Sequence, residues 1–148
     1  VIISGVTLAI DLPPLERYPW IDRGAYAWGD VTNLAALAPL AGYVDSPFAC
    51  ARVLVLGPGD YILAHHDPMP AIDGLAQELV LDLSPAPVPG AELYYRRRGA
   101  AVLAVPVVPG TLAVVERGPT ITANHTYVSR RYPDARVVRL VARTKPSM

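Results

Sequence analysis

The apolar positions of this chain fall in short runs cut apart by turn residues, and from Cys50 onward the runs have the length of β-strands rather than helices. Candidate strands lie at about 51–56, 61–66, 77–83, 91–96, 100–105, 111–116, 122–128 and 135–142. The separators are turn formers: Gly57-Pro58-Gly59, a proline-rich stretch over 85–90, Pro109-Gly110 and Tyr132-Pro133-Asp134. Eight short strands of this kind predict an all-β fold in which two antiparallel sheets enclose a pocket, a jelly roll or double-stranded β-helix. Before residue 50 a single segment reads as helix, with Asp30 as cap, Leu34, Leu37 and Leu40 at helical spacing, and Gly42 as the stop. Pro39 interrupts that pattern near its end. An edge strand is expected over about 2–10, and Trp20, Tyr26 and Trp28 are expected to plug one end of the barrel or to line its entrance.

The pattern describes one domain, with residues 1–49 supporting a core over 50–143. At 148 residues the chain can bury one core, and 52% hydrophobic against 18% charged residues, with a mean hydropathy of +0.30, excludes a disordered segment. No apolar stretch approaches the roughly 18 residues of a membrane span, and residues 1–12 do not read as a secretory signal. Cys50 is the one cysteine, so an internal disulfide and a cysteine-built metal site are excluded, and a cytoplasmic location is the expectation. A formal net charge of zero argues against wholesale binding to nucleic acid or anionic membrane, which leaves a small molecule as the expected partner. Lys145 is the one lysine, so fixed cations inside the fold must come from arginine.

The candidate chemistry lies in Tyr61-Ile62-Leu63-Ala64-His65-His66-Asp67. On a strand, His65 and Asp67 share a face and His66 takes the other. The one further histidine is His125, on a predicted strand sixty positions later. Two histidines and one carboxylate on one side of a metal leave open positions, the facial arrangement of non-haem iron(II) oxygenases. His65, Asp67 and His125 are therefore the candidate metal ligands.

The order of these features resembles the 2-oxoglutarate- and iron(II)-dependent dioxygenase superfamily. An apolar strand and glycine turn, Arg52-Val53-Leu54-Val55-Leu56-Gly57-Pro58-Gly59-Asp60, lead to His65 and Asp67. Gly90-Ala91-Glu92-Leu93 follows at the place of a Gly-Gly-Glu-Leu-like signature, and Pro109-Gly110 opens the apolar run Thr111-Leu112-Ala113-Val114-Val115 before His125. The likeness extends over about residues 30–142. It implies Fe(II) and 2-oxoglutarate as cofactors and hydroxylation of a small-molecule C–H bond, with release of succinate and carbon dioxide. A carboxylate at Asp67 fills the position that halogenating relatives leave to chloride, so halogenation is disfavoured.

The resemblance also implies an arginine for the distal carboxylate of 2-oxoglutarate about ten residues beyond the second histidine, where Arg136 stands. Alternation along Arg136-Val137-Val138-Arg139-Leu140-Val141-Ala142-Arg143 puts Arg136 with Val138, Leu140 and Ala142 on the apolar face, and a register slip would bring Arg139 or Arg143 inward instead, with Arg139 the reserve for the cosubstrate. Val138 stands where the family has the serine of Arg-x-Ser, so another hydroxyl must serve, with Tyr61 the candidate. Tyr94, Arg96 and Trp28 are candidates for substrate contact, and the basic run Arg96-Arg97-Arg98 reads either as a solvated hairpin end or as a grip on an anion. A cupin-like metal protein that does not use 2-oxoglutarate, and a non-catalytic binding domain on the same fold, remain alternatives.

Overall fold

The computed structural model describes residues 2–19, 25–64, 68–70 and 74–146. Among the described residues ten strands form two antiparallel sheets: β1 (Ile2–Ile3), β2 (Glu16–Pro19), β3 (Ala25–Asp30), β4 (Phe48–Leu56), β5 (Ala76–Asp82), β6 (Glu92–Arg97), β7 (Ala100–Pro106), β8 (Leu112–Arg117), β9 (Ile121–His125) and β10 (Val137–Thr144). The larger sheet has the order β1-β8-β5-β10-β4-β3-β2 and the smaller β7-β6-β9. An isolated bridge between Ile62 and His125 adds a further rung beside β9. From β4 on, the chain passes back and forth between the sheets, with only β6 and β7 consecutive in one of them, so that β8-β5-β10-β4 faces β7-β6-β9-Ile62. This is the expected double-stranded β-helix, a jelly roll of the cupin type. Pro19 and Pro106 both fall on edge strands, where a missing N–H costs no ladder bond.

Two cores follow from the two faces of the large sheet. Leu54, Leu56, Val80, Ala113, Val137 and Val141 face the small sheet and meet Leu93, Tyr95, Val105, Ala123 and Ile62 between the layers. Val53, Leu79, Leu81, Leu112, Val138, Leu140 and Ala142 point the other way, against Leu37 and Leu40. Residues 3–10 also pack on that outer face, contributing Ile3, Val6, Leu8 and Ile10. All eight residues of β10 are buried, because it is flanked by β4 and β5 in the sheet and covered on both faces.

Several expectations for the N-terminal part are corrected. The helical segment Leu34–Tyr43 is a 3-10 helix, bearing Leu37 and Leu40 as buried anchors worth about 1.5–3 kcal/mol each. Pro39 lacks the N–H an α-helix would use and its ring crowds the preceding turn, which favours the tighter winding. Asp30 is no cap: it ends β3 and its carboxylate pairs with Arg52 Nε at 2.8 Å, while Asn33 precedes the helix without a side-chain cap bond. The edge strand foreseen over 2–10 is two residues long, paired to β8. Strands β2 and β3, absent from the sequence pattern, extend the sheet beyond β4. Tyr26 is buried in the inter-sheet core and Trp28 packs at its margin beneath the Arg52 guanidinium, 4.4 Å from the ring centre, whereas Trp20 lies outside the described residues. No helix among the described residues is long and apolar enough to cross a membrane.

Gly29 on β3 marks how closely the early chain is applied to the sheet. A Cβ there would lie 2.4 Å from the Pro14 carbonyl oxygen and 2.9 Å from Pro13 Cγ. Gly29→Ala is expected to destabilise the protein by about 1–3 kcal/mol, since backbone and a proline ring must both give way. A urea denaturation midpoint equal to that of the parent chain would show that the contact yields freely.

Candidate metal centre

His125 ends β9, and alternation along that strand sends Ile121, Ala123 and His125 into the inter-sheet space. The imidazole is 2% exposed. Its Nδ1 lies 2.8 Å from the Thr126 carbonyl oxygen, a contact that requires Nδ1 to donate and so leaves the Nε2 lone pair available. Nε2 is buried and has no hydrogen-bond partner among the described residues. Burial, with the nearby Arg139 charge adding to it and the Thr126 bond opposing, lowers the imidazole pKa to about 3. A neutral, oriented imidazole with an orphaned Nε2 is the state that a metal ligand must adopt.

His65, His66 and Asp67 lie outside the described residues. The segment before them is placed by backbone bonds: Ile62 N donates to His125 O at 3.0 Å and His125 N to Ile62 O at 2.9 Å. Gly59 N to Val128 O and Val128 N to Asp60 O continue that ladder. Asp60 Oδ2 closes the turn by accepting from Gly57 N at 2.8 Å, and Gly59 supplies a φ of +86°. The expected strand over 61–66 is thus one bridge residue in the described part, with Leu63 already 38% exposed. Among the described residues no three histidine, cysteine or acidic side chains converge.

The two-way bond also fixes faces. Residues opposed in such a pair share a side, so Ile62 enters the core beside His125, and Tyr61 falls on the opposite side. Tyr61, on the opposite side of its segment from Ile62, lines one cavity with Arg96, Asn124 and His125. Tyr94 and Arg96 are on that same outer face, with the Arg96 guanidinium 4.8 Å above the Tyr94 ring.

Arg136 is corrected as well. It is exposed and precedes β10. Val138, Leu140 and Ala142, taken in sequence as the interior face, are the face beneath the 3-10 segment, and the interior belongs to Val137, Arg139, Val141 and Arg143. Arg139 is completely buried, with Nη1 3.2 Å from Asp82 Oδ2 and donating to the Pro106 carbonyl, and Nη2 donating to the Val105 carbonyl. Its Nε has no acceptor. Burial pushes the Asp82 carboxyl up, against the pull of Arg139.

A second polar cluster lies one step along the same strands and was missed in sequence. Glu78 Oε2 accepts from Tyr95 Oη at 2.5 Å and Arg117 Nη1 at 2.8 Å, while Oε1 accepts from Arg143 Nη2 at 2.9 Å and Nε at 3.2 Å. Arg143 also donates to the Pro70 carbonyl. The signal was present: Glu78 and Asp82 are four apart on one strand, Arg139 and Arg143 four apart on another. Antiparallel register sets Arg139 opposite Asp82 and Arg143 opposite Glu78.

No family model matches this sequence, and no curated protein matches it significantly. Among solved structures, an oxidoreductase of the 2OG-Fe(II) oxygenase family from Burkholderia pseudomallei superposes with a TM-score of 0.58 over 88% of this chain and 72% of its own, at 12% identity. That likeness is one of fold. The capsular polysaccharide assembling protein CapF from Staphylococcus aureus (14% identity, TM-score 0.45) is covered over 31% of its length by 89% of this chain. Hydroxypropylphosphonic acid epoxidase from S. wedmorenis (12% identity, TM-score 0.42) is covered over 63% by 96% of this chain. Both superpositions are too loose to add to the argument.

The buried cluster carries a stability prediction. Glu78→Ala strips the carboxylate from two buried guanidiniums and is expected to cost about 3–5 kcal/mol, whereas Tyr95→Phe, which removes one hydroxyl, costs about 1 kcal/mol. Equal urea midpoints for the two variants would mean that Glu78 is not the hub of the cluster.

Proposed function

We propose that this chain is an iron(II)-dependent oxygenase that uses 2-oxoglutarate and hydroxylates a small-molecule C–H bond, with His65, Asp67 and His125 as the metal ligands. The observation that carries the proposal is the buried Nε2 of His125, oriented by the Thr126 carbonyl and left without a partner in the interior of a double-stranded β-helix. Leaving a polar atom so placed is costly unless something binds it. A divalent metal suits it, since a metal accepts the lone pair of a neutral imidazole. The bridge at Ile62 supports this segment as the source of the other two ligands, because it pairs the chain just ahead of His-x-Asp with His125 itself.

Iron and 2-oxoglutarate, when bound, would supply with dioxygen an oxidant for an unactivated C–H bond, one oxygen atom going to the substrate and the other to succinate, with carbon dioxide released. The chain's own part is to hold the metal on neutral imidazole and carboxylate, to keep water away with the apolar inter-sheet lining, and to present a cation to the cosubstrate. For that last role Arg139 replaces Arg136, being interior and retaining an unsatisfied Nε donor. One observation favours the second reading, a cupin-like metal protein independent of 2-oxoglutarate: Arg139 already faces Asp82 at 3.2 Å, so its charge is compensated without a cosubstrate.

The test is anaerobic loading with Fe(II), followed by measurement of retained iron and of succinate formed from 2-oxoglutarate in air. His125→Ala is expected to lose both, and His66→Ala to keep most of each. Equal losses in the two variants would overturn the ligand set. Iron retention without succinate, across a panel of small organic acids as substrates, would select the cupin-like reading.

A further inference from the structure

On the outer face of the small sheet lies a cavity of about 970 Å³, the size of a small-molecule site. Its floor is formed where Arg96 of β6 and Asn124 of β9 alternate with the interior-facing Tyr95, Ala123 and His125. The segment 61–64 walls one side, presenting the Tyr61 ring, Leu63 and Ala64, and Tyr127 and Arg130 close another. Two guanidiniums thus reach the same space, and among the described lining residues there is no aspartate or glutamate.

Both cations are held in place by neutral groups. Arg96 donates from Nε to Asn124 Oδ1 at 3.2 Å and from Nη1 to the Gly99 carbonyl at 3.1 Å, and its plane stacks on Tyr94. Arg130 donates from Nε to the Tyr127 hydroxyl at 3.2 Å and lies across the Gly57–Asp60 turn. Room for it exists because residue 59 has no side chain: a Cβ on Gly59 would sit 2.8 Å from Nη2 and 2.9 Å from Nε of Arg130. Neither guanidinium has a carboxylate partner among the described residues. Elsewhere in this fold arginines that leave bulk water are met by acids, as Arg139 is by Asp82 and Arg143 by Glu78.

We infer that this cavity binds a small organic anion, its carboxylate or phosphate oxygens received by Arg96 and Arg130 and its apolar body laid against Tyr61 and Leu63. Two oriented guanidiniums with spare N–H donors match an oxyanion, and the ring and leucine wall match an apolar or aromatic scaffold. Asn124, its carbonyl oxygen taken by Arg96, turns its amide hydrogens to polar substituents of the ligand. His125 and Ile62 also line this cavity, but the groups that receive the anion and its apolar body here, Arg96, Arg130, Tyr61 and Leu63, are not proposed metal ligands, so the two readings are tested by different substitutions.

Calorimetry on the full chain tests it with three probes of one shape class: phenylacetate, phenyl phosphate and the neutral 2-phenylethanol. At least one anion is expected to bind, with the alcohol about tenfold or more weaker, the worth of a charge-assisted hydrogen bond. Arg96→Gln and Arg130→Gln are each expected to weaken the anion by about tenfold at an unchanged thermal midpoint, whereas Arg97→Gln, outside the cavity, leaves binding as it was. The relative affinity of the two anions assigns carboxylate or phosphate. Equal binding of alcohol and anions, no binding of any probe, or anion binding that survives replacement of both Arg96 and Arg130 would each overturn the inference.

Discussion

The interior of this protein rests on a constraint imposed at β10. That strand is central in its sheet and covered on both faces, yet it carries two arginines toward the small sheet. A guanidinium in such a place must be met by charge and by hydrogen-bond acceptors, or the fold loses several kcal/mol. The answer is built into β5, which sets Asp82 and Glu78 directly across the ladder from Arg139 and Arg143. Backbone carbonyls of Val105 and Pro106 take two further donors of Arg139, tying the large sheet to the small one through polar contacts as well as apolar ones.

The two ionic groups mark the inter-sheet space as more than an apolar filling. At one level Arg139 and Asp82 lie close enough to His125 for the Arg139 charge to help hold the imidazole neutral. At the other, Glu78 gathers Arg117, Arg143 and Tyr95 into a buried cluster. A one-residue slip of β10 against β5 would send Arg139 and Arg143 beneath the 3-10 segment and strand both carboxylates, so the charges specify register as firmly as the apolar pattern does. The same register carries β10 past β4, whose end leads through the Gly57–Asp60 turn to Ile62 and so to His125.

The small sheet has two working faces because of its alternation. Tyr95, Ala123 and His125 serve the interior; Arg96 and Asn124 serve the outer cavity. Ile62 and Tyr61 divide in the same way on the neighbouring segment. His125 and Ile62 also line the cavity that Arg96, Asn124 and Tyr61 face, so the inner and outer faces of the small sheet meet at that edge.

The period-two pattern and the turn residues determined seven of the eight strands expected after residue 50, the two-sheet architecture, and His125 as an inward-facing histidine on a late strand. These were legible because alternation and turn chemistry are local properties of the chain. What tertiary structure decided was which face of each strand is the interior. In β10 the apolar residues Val138, Leu140 and Ala142 looked like the inside, but the chain before β4 folds over that face and buries it too. With both faces covered, hydrophobicity no longer distinguishes them, so the pattern favours Arg136 over Arg139, and local alternation does not reveal that the bond pair between Ile62 and His125 turns Ile62, not Tyr61, into the core. Strands β2 and β3 escaped notice for a related reason: they are held by pairing to β4, and their sequence carries little pattern of its own. Cross-strand pairing joins residues far apart in the chain, and only the folded molecule brings Glu78 to Arg143 or Asp82 to Arg139.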